Sequence, residues 1–185
     1  MIYTLYYVHD PMCSWCYAFK STLEKLKKNL DSNIKIVHVV GGLAKDSDEI
    51  MPKDMQEKIE NIWYEIEKVT GTKFNHDFWK ICQPRRSTYI ACKATMLARY
   101  ENKEEEMISA IQEAYYQKAM NPSDATTLIS LAKQIGMDEK KFEEDLKSQK
   151  IEDDLQNELN FRRSLHVKTF PSLILEYKKE LYPIN

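Results

Sequence analysis

Strand-forming sequence is confined to the two ends of this chain, and the long stretch between them reads as helix. Met1-Ile2-Tyr3-Thr4-Leu5-Tyr6-Tyr7-Val8 is a β-rich run. Ile34-Lys35-Ile36-Val37-His38-Val39-Val40 is β-branched and bounded by Asp31-Ser32-Asn33 before and Gly41-Gly42 after. Near the other end, Thr169-Phe170-Pro171-Ser172-Leu173-Ile174-Leu175-Glu176 returns to strand character, with its proline at the start, where a missing N–H is tolerated. Lys178 to Asn185 reads as a turn and a last short strand. Between about Lys45 and about Leu165, glycine and β-branched residues thin out and apolar residues recur at helical spacing. The simplest architecture places both ends in one mixed sheet and inserts the middle as a helical cap.

The first connection is also helical. Cys16, Phe19, Leu23, Leu26 and Leu30 recur at i, i+3, i+7, i+10 and i+14 with lysines and polar residues between them, so a helix opens at Cys13 and joins two parallel strands by a right-handed crossover. In the middle, helices are expected from about Lys53 to Val69, Tyr89 to Tyr100, Glu104 to Met120, Ala125 to Ile135, Asp138 to Ser148 and Glu152 to Ser164. Asn121-Pro122-Ser123-Asp124 breaks one of these and caps the next, and Gly136 stops the latter.

Composition removes several functional classes. Lys plus Arg number 27 against 29 Asp plus Glu, a net charge of -2 that offers nothing to nucleic acid. With only Gly41, Gly42, Gly71 and Gly136 in the chain, the glycine-rich dinucleotide fingerprint, the phosphate-binding loop and the nucleophile elbow cannot be written anywhere. No stretch approaches the roughly 18 apolar residues of a membrane helix, and the N-terminus reads as a strand, not a secretion signal. A soluble, cytoplasmic protein without membrane contact is expected.

The cysteines stand at 13, 16, 82 and 92. In a reducing compartment a close pair points to catalysis or metal, not to a structural disulfide. A zinc knuckle needs a second pair at similar local spacing. Cys82 and Cys92 have nine residues between them and only His76 nearby, so no metal is expected. Cys13-Ser14-Trp15-Cys16 instead falls at a strand-to-helix junction, in an exposed turn. There, free backbone N–H groups and the helix dipole stabilise a thiolate on Cys13, while Cys16, one turn in, lies within disulfide reach. Cys13 is the expected nucleophile and Cys16 the resolving thiol. Cys82 and Cys92 are expected to be inert buried thiols, with a second redox pair as the minor alternative. His38, His76 and His166 are scattered and carry no ligand spacing. Gln83-Pro84-Arg85-Arg86-Ser87 is read as a solvated basic turn.

Asp10-Pro11-Met12-Cys13-Ser14-Trp15-Cys16 followed by Tyr17-Ala18-Phe19, the helical insertion and the late Thr169-Phe170-Pro171-Ser172-Leu173 together resemble the DsbA family of thioredoxin-fold oxidoreductases, and among them its cytoplasmic FrnE-like branch. The resemblance implies an α/β thioredoxin-like fold with a large all-helical insertion between the second and third strands. Residues 1–44 and 166–185 would form the discontinuous thioredoxin-like domain and 45–165 the inserted helical domain. It implies Cys13 as attacking thiol, Cys16 as resolving thiol and Pro171 as a cis-proline against the disulfide, with the Phe170 backbone pairing with an extended substrate. Met12, Ser14, Trp15 and Phe170 would contact substrate, Met12, Trp15 and Phe170 as an apolar landing surface. Two departures stand out. Where relatives carry a buried acid six residues before the nucleophile, this chain has Tyr7, which leaves proton transfer to water, His9 or Asp10. The family pattern also ends in a closing helix, so one sheet face is expected to be partly bare or covered by another chain.

The function so implied is a dithiol-disulfide oxidoreductase or isomerase acting on protein thiols and disulfides. No cofactor is expected beyond the redox-active cysteines, with glutathione as a candidate reductant. Two alternatives stand beside it: a glutathione-dependent transferase or isomerase of the related kappa-type scaffold, and a non-enzymatic, redox-gated adaptor protein.

Overall fold

The computed structural model describes residues 3–184. Met1 and Ile2, included in the first-strand expectation, and Asn185, at the end of the last, lie outside the described residues. Strand β1 (Tyr3–His9) runs into helix α1 (Ser14–Asn29), which returns the chain to β2 (Ile34–Val40). The two strands pair in parallel, from Tyr3 opposite Ile34 to His9 opposite Val40. After the insertion, β3 (Ser172–Tyr177) pairs antiparallel with β1, and β4 (Glu180–Ile184) antiparallel with β3, giving the order β2-β1-β3-β4. The mixed sheet expected from the two chain ends is therefore present. Strand β3 starts three residues later than the run of strand-like sequence at Thr169, because Thr169 to Pro171 form a bend in which the Phe170–Pro171 bond is cis.

Seven helices fill the insertion among the described residues: α2 (Lys53–Thr70), α3 (Phe78–Ile81), α4 (Tyr89–Tyr100), α5 (Glu104–Tyr116), α6 (Ala125–Gln134), α7 (Glu139–Leu146) and α8 (Gln149–Ser164). Local capping sets several ends. Asp138 accepts from the Lys141 N–H to start α7, Ser148 accepts from the Ile151 N–H to start α8, and Gly71 closes α2 in the left-handed conformation. Helix α5 stops four residues before Met120. There the Tyr116 carbonyl accepts from the Asn75 N–H at 2.7 Å, and Ala119 takes a positive φ of 50°. Tertiary hydrogen bonding thus overrides a sequence that could have continued the helix. Helix α3 is a single turn, too short to show a period.

Sheet and insertion share one core. Trp63, Phe78, Met107, Ile111, Tyr116, Leu128, Leu155 and Leu159 are fully buried together, and Met12 and Val40 from the sheet side belong to the same cluster. Trp63 is enclosed by aromatic rings, with Phe74 at 5.0 Å and Tyr116 at 5.3 Å. A smaller cluster of Val8, Val39, Leu165, Val167 and Ile174 lies on the sheet, with Phe170 packed against it. Among the described residues no helix is long and apolar enough to cross a membrane.

An ionic bridge reinforces the joint between the two parts. Arg99 of α4 donates to Glu158 of α8 at 2.5 and 2.9 Å, to Glu104 of α5 at 2.9 Å and to the His38 carbonyl of β2 at 3.3 Å. Glu158 in turn accepts from the Val40 N–H at 2.7 Å. Removing the Glu158 carboxylate leaves the half-buried guanidinium with only Glu104 and the His38 carbonyl, and the Val40 N–H without its acceptor. Glu158→Ala is therefore expected to lower unfolding stability by about 2 to 3 kcal/mol, measured by urea denaturation. A change within about 0.5 kcal/mol would show that the bridge holds nothing.

Candidate redox site at the β1–α1 junction

Asp10-Pro11-Met12 turns the chain from β1 into α1. The Cys13 N–H donates to the Asp10 carbonyl at 3.0 Å, which closes the turn, and Cys13 becomes the N-cap of α1 with extended backbone angles. The Asp10 side chain, with no exposed surface, fixes the turn from inside. It accepts from the Met12 N–H at 2.8 Å, the Leu43 N–H at 2.7 Å, the Thr88 hydroxyl at 2.8 Å and the Cys92 thiol at 3.5 Å. Burial pushes its carboxyl pKa up, and the N–H and hydroxyl donors counter only part of that. From the insertion, the Tyr116 hydroxyl donates to the Met12 carbonyl at 2.7 Å.

All four cysteines are free thiols. At Cys13 a hydrogen bond from the Cys16 thiol, with the backbone N–H groups of Cys16 and Trp15, pulls the pKa below that of an ordinary thiol, against burial and the Asp10 charge. Cys16 is pushed well above it, first by burial and then by its neighbour Cys13. The two sulfurs are thus divided into an acidic outer thiol and a protonated inner one. Opposite them, the Phe170 carbonyl stands 3.7 Å from the Cys13 sulfur, beside the cis Phe170–Pro171 bond. The ring of Phe170 reaches its place because residue 41 is glycine. A Cβ there would come within 2.4 Å of that ring.

Two expectations need correction. Cys13 does not lie in an exposed turn: it is only 7% exposed, with the Phe170 loop over it. Met12, expected in an apolar landing surface, is 7% exposed and packs into the core, so that its backbone, not its side chain, serves the site. Trp15 is 37% exposed and borders an open groove with Ala18, Phe19, Thr22, Phe170 and Pro171; Ser14 is half-buried at the first helical turn.

The candidate proton carriers also fall in unequal places. A small cavity of about 40 Å³ reaches Cys16, lined by Tyr7, Lys20, Lys27, His38, Glu105 and Gln112 among others, and neither His9 nor Asp10 lines it. His9 is stacked behind Tyr7 with ring centroids 4.9 Å apart. The Tyr7 phenol is pushed far up by burial and by the adjoining cysteines, so it remains neutral. Cys92 is buried against Asp10, and Cys82 donates to the Ala119 carbonyl at 2.9 Å; burial raises the pKa of both. Sequence reasoning missed Thr88 and Tyr116. They lie 78 and 104 residues from their partners in the turn, and nothing local marks them.

The family model described as thioredoxin matches residues 6–180 of the chain. A candidate protein disulfide isomerase from Nitrosomonas europaea superposes with a TM-score of 0.87 at 22% identity, covering 100% of this chain and 90% of that one. The cytosolic disulfide reductase DsbM from Pseudomonas aeruginosa, also solved with GSH, superposes with a TM-score of 0.81 at 19% identity, covering 98% and 89%. In sequence, the ClpXP adapter protein SpxH of Halalkalibacterium halodurans is 23% identical over 176 residues, 92% of this chain and 57% of its own length. The chain thus spans little more than half of the curated relatives it matches.

The division between the two thiols gives a direct expectation. In the reduced protein, iodoacetamide should modify Cys13 with a midpoint below that of an ordinary thiol, leaving Cys16 unmodified. Because the folded state lowers this pKa, the gain in stability is complete above the unfolded thiol's value and is lost as pH falls through the folded one. Equal labelling of both cysteines would contradict the assigned roles.

Proposed function

Since the chain belongs to the thioredoxin family, we propose that it is a dithiol-disulfide oxidoreductase that exchanges disulfides with protein thiols through Cys13 and Cys16. One observation carries this reading: an acidified thiol caps a helix, a protonated thiol stands one turn behind it, and the Phe170 carbonyl faces it across the site. The disulfide isomerase and disulfide reductase that share the fold support it.

In the reduced enzyme the Cys13 thiolate attacks one sulfur of a substrate disulfide. The Cys13–substrate bond forms, the substrate S–S bond breaks, and the departing thiolate takes a proton from water. Cys16 then gives up its proton, attacks the Cys13 sulfur and releases the second substrate thiol, leaving a Cys13–Cys16 disulfide. The substrate has gained the two electrons that the enzyme lost. Two glutathione molecules would return the enzyme to the dithiol as they become one glutathione disulfide. Running the steps backwards oxidises a substrate dithiol, and the reduction potential sets the direction. Extended substrate would lie along the Trp15 groove, with the Phe170 backbone as its pairing edge and Pro171 beside the reacting sulfur. Ser14 and Trp15 add no positive charge, so the enzyme is a moderate oxidant, suited to reductase or isomerase work in the cytoplasm.

A second reading is a non-enzymatic adaptor, favoured by the SpxH relatives, whose name assigns them that role. Insulin reduction separates the two. The full chain should turn over with dithiothreitol, Cys13→Ser should fall to the uncatalysed rate, and Cys16→Ser should accumulate a mixed disulfide with substrate. No turnover by the unmodified chain favours the adaptor. Turnover that needs glutathione and survives loss of Cys16 favours a glutathione-dependent transferase or isomerase.

A further inference from the structure

Behind the redox site lies a cluster that the proposed reaction does not use. Alternation along β1 puts Tyr7 and His9 on one face of the sheet, and the parallel register sets His38 of β2 opposite Tyr7. The three rings gather, with His38 at 5.5 Å from Tyr7 and 5.4 Å from His9 between centroids. Helix α5 brings Glu104 to the same place in its first turn.

Neither ring nitrogen of His9 or of His38 has a hydrogen-bond partner, and His9 has no exposed surface. A neutral imidazole carries one donor and one lone pair, and a buried polar group left unpaired costs about 1 to 3 kcal/mol. Four such nitrogens beside one another are an unusual concentration. One ligand atom each from His9, His38 and Glu104 lie within 4.8 Å of one another.

We propose that His9, His38 and Glu104 form a binding site for a divalent transition-metal cation, zinc above all, held through two imidazole nitrogens and one carboxylate oxygen. Those ligand types suit zinc, cobalt and nickel, and three protein ligands leave a further position open. Bonds of about 2.0 to 2.1 Å require contraction from the present spacing, and Glu104, now paired with Arg99 at 2.7 Å, would share its carboxylate between the guanidinium and the cation. Glu104, Glu105 and Glu158 stand beside the cluster, paired with Arg99 and Lys27, and the carboxylate of Glu104 is the one that would meet the cation. Glu105 has an oxygen 3.9 Å from His38 Nε2 and borders, with Glu104, Glu106 and Arg99, an open hollow beside the cluster. Bound there, the metal would tie both parallel strands to α5.

The test uses the full chain with Cys13 and Cys16 oxidised to their disulfide, so that these thiols cannot compete. Cobalt(II) should bind one equivalent and give visible ligand-field bands without thiolate charge-transfer absorption. Zinc should displace it and raise the melting temperature. His38→Gln and Glu104→Gln should each weaken cobalt binding about tenfold or more. Glu104→Gln keeps an amide oxygen for Arg99, so it remains informative if the histidine variant fails to fold. Absence of saturable uptake, thiolate bands, or unchanged affinity in a folded Glu104→Gln variant would overturn the assignment.

Discussion

The site depends on what surrounds one buried carboxylate. Asp10 receives the Met12 N–H from its own turn, the Leu43 N–H from the loop after β2, and the Thr88 hydroxyl and Cys92 thiol from the insertion. Three separate stretches of chain are therefore fixed to one another at the point where Cys13 enters α1. An ionised carboxylate accepts hydrogen bonds only, and each donor here is aimed at an oxygen, so its charge is answered where water cannot reach it. The same charge opposes a thiolate on Cys13, against the Cys16 thiol and the helical N–H groups. The net acidification is the difference between two large local effects. An acidified Cys13 thiol is the outcome of that balance.

The insertion is part of the site's construction, not an appendage. Tyr116 holds the Met12 carbonyl, Thr88 holds Asp10, and Met12 and Val40 are buried in the same core as Trp63 and Leu159. Gly41 admits the Phe170 ring against the end of β2, and Phe170 in turn presents its carbonyl to Cys13. The sulfur is thus bounded on one side by residues held by the insertion and on the other by the loop before β3. This explains why Cys13 is nearly covered although its sequence position marks it as a turn residue.

What could be read from the chain was local. Runs of β-branched and aromatic residues bounded by turn residues announced the strands, apolar spacing announced α1 and most of the insertion, and the Cys13 to Cys16 interval placed two thiols at a strand-to-helix change. What could not be read depends on distant contacts. Helix α5 ends early because Asn75 takes the Tyr116 carbonyl. His9, His38 and Glu104 carry no ligand spacing; only strand register and the packing of α5 bring them together. Gly41 and Gly42 were legible as a strand end, but the ring packed on Gly41 was not.

Tyr7 is where departure from the family pattern has its chief physical consequence. A carboxylic acid at that position could carry protons to and from Cys16 and, when ionised, would oppose a thiolate there. A phenol pushed far above its ordinary range does neither: it stays neutral and contributes shape and a hydroxyl. His9 is no substitute, since Tyr7 is stacked over it and it does not line the cavity at Cys16. Proton exchange with the inner thiol is therefore left to the narrow cavity bounded by Lys20, Lys27, Glu105 and Gln112. For the proposed exchange, the outer thiol is acidified in the free protein, whereas the inner one would have to shed its proton during the reaction. In the proposed reaction, the resolution of the mixed disulfide, not its formation, would be the step most sensitive to the residues that line that cavity.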